Sequence, residues 1–224
     1  MYDDAICAMA KDALKFVKDG QTLGLGSGRA ATAFVKALSK HIKKQNIRIV
    51  GIPTSLQIRM VAEDGNIPLI DASQTERIDF VFDGADQIDS KKTLIKGGGG
   101  ALLYENVLIS MAKKVVIMAD ASKFVTHLNI PVPVEVYPSA RNSVTLFVKR
   151  LGGNPSIRLL ERGYPFITEN GNIILDCNFK TIKQPSLLAR KIIRPAGVME
   201  VGIFERKPDI IYKANKHGKF SIIS

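Results

Sequence analysis

The chain has 224 residues, 46% hydrophobic and 24% charged, proportions that exclude a disordered chain, a collagen-like repeat and a coiled-coil rod. Two cysteines, Cys7 and Cys177, cannot staple a chain of this length, and no Cys–His cluster has zinc spacing, so a reducing, cytoplasmic setting is the expectation. With 32 basic and 21 acidic residues the formal charge is +11, which favours anionic partners without separating nucleic acid from phosphorylated metabolites. Asp3 and Asp4 stand where a signal peptide is basic, and no apolar run approaches the ~20 residues that span a bilayer, so no membrane partner is expected.

The first two-thirds of the chain alternates short β-rich runs with helical periodicity. Residues 22–26, 48–52, 67–70, 78–82 and 115–118 are apolar runs ended by Gly, Pro, Asp or Ser, as buried parallel strands are. Between them, Ala33, Phe34, Ala37, Leu38 and Ile42 form one helical stripe, and Leu103, Val107, Leu108 and Met111 another. This order predicts an α/β fold with a Rossmann-like, doubly wound, mostly parallel sheet, whose ligands bind beyond the carboxyl ends of the strands.

Near residue 128 the pattern changes. Pro131 and Pro133 interrupt an apolar run as on an edge strand. A helical pattern over 143–153 stops at two glycines, and strands are expected over 156–160, 166–168 and 172–176, with an Asn-Gly turn signal at Asn170-Gly171. A helix over 185–193 and a strand over 197–204 follow. The division expected is a catalytic α/β domain of residues 1–127 plus 206–224 and a smaller α+β domain of residues 128–205.

Three loops carry candidate chemistry, two after predicted strands and the third after the strand-like residues 93–95. In the first, Gly24, Gly26 and Gly28 alternate with Leu25 and Ser27 and lead through Arg29 into a helix. Backbone amides and the helix dipole there suit an anion, Arg29 adds a charge for a phosphate, and a plain tight turn is the alternative. The pattern is neither a dinucleotide fingerprint nor a P-loop. The second, Asp83-Gly84-Ala85-Asp86, offers two carboxylates three residues apart, or simple turn chemistry. In the third, Lys96 precedes Gly97, Gly98, Gly99 and Gly100, and Glu105 falls about one turn into the next helix. Four glycines suggest a ligand approaching the main chain, with a Lys to stabilise developing negative charge and a Glu to move protons, though both could be solvated charges. Thr54 and Ser55 offer hydroxyls or a helix cap, and Lys123 follows the strand at 115–118. His41, His127 and His217 stand apart, without partners at useful spacing.

Together these segments resemble the ribose-5-phosphate isomerase A family. The landmarks are Gly24 to Gly28, Gly51 to Ser55, Phe82 to Asp86, Lys96 to Gly100 with Glu105, Ala119 to Lys123, Pro131 to Glu135, Ile167 to Gly171 and Gly197 to Phe204, in order along nearly the whole chain. The resemblance implies interconversion of D-ribose 5-phosphate and D-ribulose 5-phosphate through an enediolate, in the non-oxidative pentose phosphate pathway, without cofactor or metal. It implies Glu105 as base for the carbon-bound proton, Asp83 as carrier of hydroxyl protons with Asp86 assisting, and Lys96 as stabiliser of the oxyanion. It places the phosphosugar against Gly26, Ser27, Gly28, Arg29, residues 97–100 and Lys123, in a homodimer or homotetramer. The chain departs from the family at Arg29-Ala30, where Ser-Thr is usual, at Gln87, where Glu is usual, and near Cys7, where Lys11 is the nearest counterpart of a substrate-directed lysine. The competing readings are a phosphosugar-binding or regulatory paralogue with weak or no isomerase activity, and a nucleic-acid binder. The latter is disfavoured by the absence of tryptophan, 7% aromatic content and no nucleic-acid motif.

Overall fold

A computed structural model describes residues 2–223. In chain order the elements are α1 (Asp3–Ala13), β1 (Thr22–Leu25), α2 (Gly28–Gln45), β2 (Val50–Pro53), α3 (Leu56–Asp64), β3 (Ile78–Asp83), β4 (Gln87–Ile88), β5 (Leu94–Ile95), α4 (Leu102–Met111), β6 (Ala112–Asp120), β7 (Val132–Val136), α5 (Arg141–Arg150), β8 (Asn154–Ile157), β9 (Ile173–Asn178), α6 (Pro185–Ile192), β10 (Val198–Val201), β11 (Ile203–Phe204), β12 (Ile210–Ala214) and β13 (Phe220–Ile223). They group into two compact units, residues 1–85, 104–123 and 206–224 in the first and 86–103 and 124–205 in the second.

The first unit is built on a sheet of order β13-β12-β6-β3-β1-β2, parallel except for β13. Strand alternation divides its residues between two faces. Leu23, Leu25 and Phe82 point to one side, where α1 brings Ile6 and Met9 and α2 brings Phe34, Val35, Leu38 and Ile42, spaced at helical period. Phe34 and Phe82 stack with ring centres 4.0 Å apart. Burying a side chain such as Phe34 or Leu38 contributes about 2 kcal/mol, and the period of the stripe thereby fixes which side of α2 meets the sheet. Gly24 and Val81 face the other side, where Leu108 of α4 packs: a Cβ on Gly24 would lie 2.6 Å from Val81 Cγ2 and 3.4 Å from Leu108 Cδ1. The sheet is therefore doubly wound. Because β2 and β3 lie on opposite sides of β1, the strand order reverses there, which makes the carboxyl ends of β1 and β3 the topological switch point.

The second unit holds an antiparallel sheet of order β10-β7-β9-β8 and a short sheet of order β11-β5-β4. Val132, Val134, Val136, Ile173, Leu175 and Cys177 form one apolar face against Val144 and Val148 of α5 and Ala189 and Ile192 of α6. Burial there, followed by the negative charge of Asp176, pushes the Cys177 thiol up to about 12, so it packs as an inert hydrophobe. The opposite face carries Pro133, Glu135, Ile174 and Asp176, which alternate with the apolar set.

Some local expectations change. Residues 67–70 make only an isolated bridge, Gly51 to Leu69, since Pro68 has no N–H to extend a ladder. Residues 166–168 likewise contribute only a single bridge, Ile167 to Ile173. The single strand expected over 197–204 divides at Gly202 into β10 and β11, which join different sheets. A Cβ on Gly202 would lie 2.4 Å from the Lys96 carbonyl oxygen, so this crossing needs glycine. Residues 86–103 and 124–127, expected in the first domain, group with the second unit, where β5 pairs with β11. The tail beyond residue 206 supplies β12 and β13.

Candidate active site

At the switch point of the first unit, Asp83 closes β3 and is fully buried. Its Oδ1 accepts the N–H of Gly84 at 2.7 Å and that of Ser27 at 3.2 Å. Gly26 is required beside it, since a Cβ there would fall 2.1 Å from that oxygen. Ser27 is the N-cap of α2 yet makes no side-chain cap bond. Its hydroxyl lies 2.8 Å from Thr54 Oγ1 and donates to Ser55 Oγ at 2.8 Å, so three hydroxyls gather at the carboxyl ends of β1 and β2, beside the amino end of a helix. Ser55 also caps α3 through the Ile58 N–H at 3.4 Å.

Glu105 lies in the first turn of α4 and is 5% exposed. Leu108, one turn later, reaches Gly24, and residues three apart share a helix face, so Glu105 faces the sheet. Asp83 lies on that same side, because Val81 and Asp83 are two apart on β3 as Gly24 and Gly26 are on β1. The two carboxylates thus occupy one side of the sheet at the carboxyl ends of its strands. Arg29, 59% exposed, turns its Nη2 to Asp120 at 3.2 Å and its Nη1 to Asp3 at 3.7 Å. Asp120 ends β6 and also accepts the Ser122 N–H at 3.0 Å and its hydroxyl, tying down the turn that carries Lys123. Among the described residues no three His, Cys, Asp or Glu side chains are grouped as a metal site requires.

In the second unit, the Asp86 N–H donates to Ile95 O at 2.8 Å and its Oδ2 accepts the Gly98 N–H at 2.7 Å. Lys96, 3% exposed, follows β5; its N–H donates to Gly202 O at 2.9 Å and its Nζ stands 5.8 Å from the Phe204 ring centre. Gly97 and Gly100 take positive φ, 102° and 85°, and the Gly100 N–H closes a turn on Gly97 O at 3.0 Å. The structure therefore brings Ser27 and Gly26 to Asp83, and the glycine run to Asp86. Sequence reasoning missed Arg158 and Asp176, which support that run. They lie in β-rich segments without a motif, and only the pairing of β8 with β9 makes them neighbours.

The model of the family described as ribose 5-phosphate isomerase A (phosphoriboisomerase A) matches residues 50–218. Ribose-5-phosphate isomerase A 1 of Oceanobacillus iheyensis is 40% identical over 198 residues, 88% of each chain. Ribose-5-phosphate isomerase A of Methanocaldococcus jannaschii is 38% identical over 218 residues, 96% of each chain. The solved structure of ribose 5-phosphate isomerase A from Methanocaldococcus jannaschii superposes with a TM-score of 0.94 at 36% identity, covering 100% of both chains. A D-ribose-5-phosphate isomerase solved in complex with phospho-erythronic acid superposes with a TM-score of 0.93 at 33% identity, covering 99% of this chain and 97% of that one. With a family model over most of its length and relatives of this similarity, the chain belongs to the ribose 5-phosphate isomerase A family.

Proposed function

We infer that the chain is an aldose–ketose isomerase that interconverts D-ribose 5-phosphate and D-ribulose 5-phosphate, a step of the non-oxidative pentose phosphate pathway. The observation that carries this reading is the pair of buried carboxylates, Asp83 and Glu105, on one side of the sheet at its switch point. Isomerisation moves a proton between C2 and C1 and another between O2 and O1. Glu105 takes the C2 proton of the open-chain aldose and returns it to C1 of the enediolate. Asp83 carries the hydroxyl protons, first in ring opening and then between the two oxygens, with Asp86 assisting. A positioned base contributes typically 10²–10⁴-fold, so base and proton carrier together supply a large part of the acceleration. The Lys96 ammonium stabilises the developing oxyanion, and residues 97–100 let the sugar approach the backbone.

The phosphate is assigned to the amides of Gly26, Ser27 and Gly28 at the amino end of α2, with the Ser27, Thr54 and Ser55 hydroxyls in place of those absent at Arg29-Ala30. Arg29 and Lys123 supply positive charge. No helix among the described residues is long and apolar enough to cross a membrane. Membership of an enzyme family of central metabolism supports a cytoplasmic location, and we propose a homodimer or homotetramer. The deciding experiment incubates purified protein with ribose 5-phosphate in EDTA and follows ketose formation. Turnover is expected. Tight phosphosugar binding without turnover at high protein concentration would instead leave a binding or regulatory protein.

A further inference from the structure

Four consecutive glycines have no side chains to anchor them and the widest choice of backbone conformations, so whatever orders residues 97–100 must act on their main chain. Arg158, just beyond β8 and 16% exposed, does so. Its Nε and Nη2 hold the two oxygens of Asp176 at 2.9 and 2.5 Å, a side-on pairing that fixes the guanidinium plane. Its Nη1 then donates to Gly97 O at 2.7 Å and to Gly98 O at 3.0 Å.

The peptide between Gly97 and Gly98 is thereby gripped at both ends, its carbonyl by Arg158 and its N–H by Asp86 Oδ2 at 2.7 Å. A cation on the carbonyl polarises the peptide and strengthens the N–H as a donor, so Arg158 also steadies the Asp86 carboxylate. In the next peptide the Gly98 carbonyl again meets Arg158, and because a trans peptide sets C=O and N–H in opposite directions, the Gly99 N–H points away from the guanidinium. Gly99 is exposed. Phe166 completes the support: a Cβ on Gly100 would lie 2.5 Å from its ring, and the Arg158 guanidinium carbon lies 5.8 Å from its ring centre.

We propose that Arg158, anchored by Asp176, is a positioning residue of the isomerisation: it fixes the main chain of residues 97–100 so that Lys96 and Asp86 hold their working placement and the Gly99 N–H stands as a donor to an oxygen of the open-chain sugar. This rests on the isomerase reading above. The test combines steady-state kinetics on Arg158→Ala, Arg158→Lys and Asp176→Asn with melting temperatures and hydrogen exchange at residues 98–100. Arg158→Ala lowers kcat by about 30- to 100-fold while KM moves less than about threefold, the size expected when a reacting group is slightly misplaced. Arg158→Lys stays low, because a point charge cannot serve a carboxylate and two carbonyls at once. Guanidinium ion, added well below denaturing concentration, restores part of the kcat of Arg158→Ala and none of that of the lysine variant.

Exchange at Gly98 and Gly100 speeds up in Arg158→Ala irrespective of turnover. A wild-type protein that fails to isomerise ribose 5-phosphate while this exchange responds sinks the isomerase reading and leaves the clamp standing. Wild-type kinetics and exchange in Arg158→Ala overturn the clamp. So does a kcat loss that only tracks the folded fraction and is not rescued by guanidinium. Should Arg158→Ala not fold, Asp176→Asn decides: its kcat falls at least several-fold if the anchor matters, and an unchanged kcat overturns the proposal.

Discussion

The proposed reaction assigns Glu105 its most demanding step, removal of a carbon-bound proton, and burial in the first turn of α4 holds that carboxylate against the sheet face that also bears Asp83. Glu105→Gln preserves shape and removes the base. Steady-state kinetics should show kcat lower by about 10³-fold with KM within about threefold, whereas a loss mainly in KM would make Glu105 a binding residue. Arg29 is the residue where sequence and structure pull differently. Its place at the amino end of α2 suits a phosphate, while its guanidinium is engaged by Asp120 and Asp3. If it serves the phosphate it must exchange these partners on binding, and Arg29→Ala should raise KM for ribose 5-phosphate about tenfold with kcat nearly unchanged, the size of one charge-assisted contact. An unchanged KM would reduce Arg29 to a surface ion pair.

Among the elements, the strands that end at the switch point and the helices that begin there do most to define the site. The return of the chain into β12 is fixed by one carboxylate. Asp209 accepts the Val115 N–H at 2.9 Å and the Lys114 ammonium at 2.9 Å, setting the register of β12 beside β6. Burial alone would raise its carboxyl above the ordinary 3.8, but the bonds from Lys114 and Val115, with the charges of Lys114 and Arg206, hold it below that value. A carboxyl lowered in the folded state stabilises above its unfolded value and loses that contribution as pH falls through the folded one. Asp209→Asn should therefore melt below the wild type at neutral pH, and the gap should close as the pH drops below 3.8. Thermal melts from pH 7 to pH 2 check this; a gap independent of pH would assign the effect to packing.

Across the whole molecule, the +11 charge divides into Arg29, Lys96 and Lys123, to which the proposed function gives roles, and a larger basic surface that includes Lys216 and Lys219. Such a surface steers an anionic sugar phosphate over about a Debye length, ~10 Å at 0.1 M salt. Raising the ionic strength with an inert salt should lower kcat/KM for ribose 5-phosphate by about two- to fivefold and leave kcat nearly constant. A flat response would leave the charge as a matter of solubility alone.

The sequence by itself determined the alternation of strands and helices, because periods of 2 and 3.6 are written locally in which residues are apolar. Phe34, Leu38 and Ile42 announce the buried face of α2, and the glycines at 24, 26 and 28 announce a close approach. It also displayed Asp83, Asp86, Lys96 and Glu105, since chemistry-bearing residues after buried strands stand out against apolar runs. Tertiary structure alone decided that β2 and β3 flank β1, that Gly26 must lack a side chain because Asp83 fills the space, and that Gly202 breaks a run which reads as one strand. It alone brought Arg158 and Asp176 under the glycine run. Those contacts join residues tens of positions apart, and no local pattern records which distant segment will fill the space beside a given backbone atom.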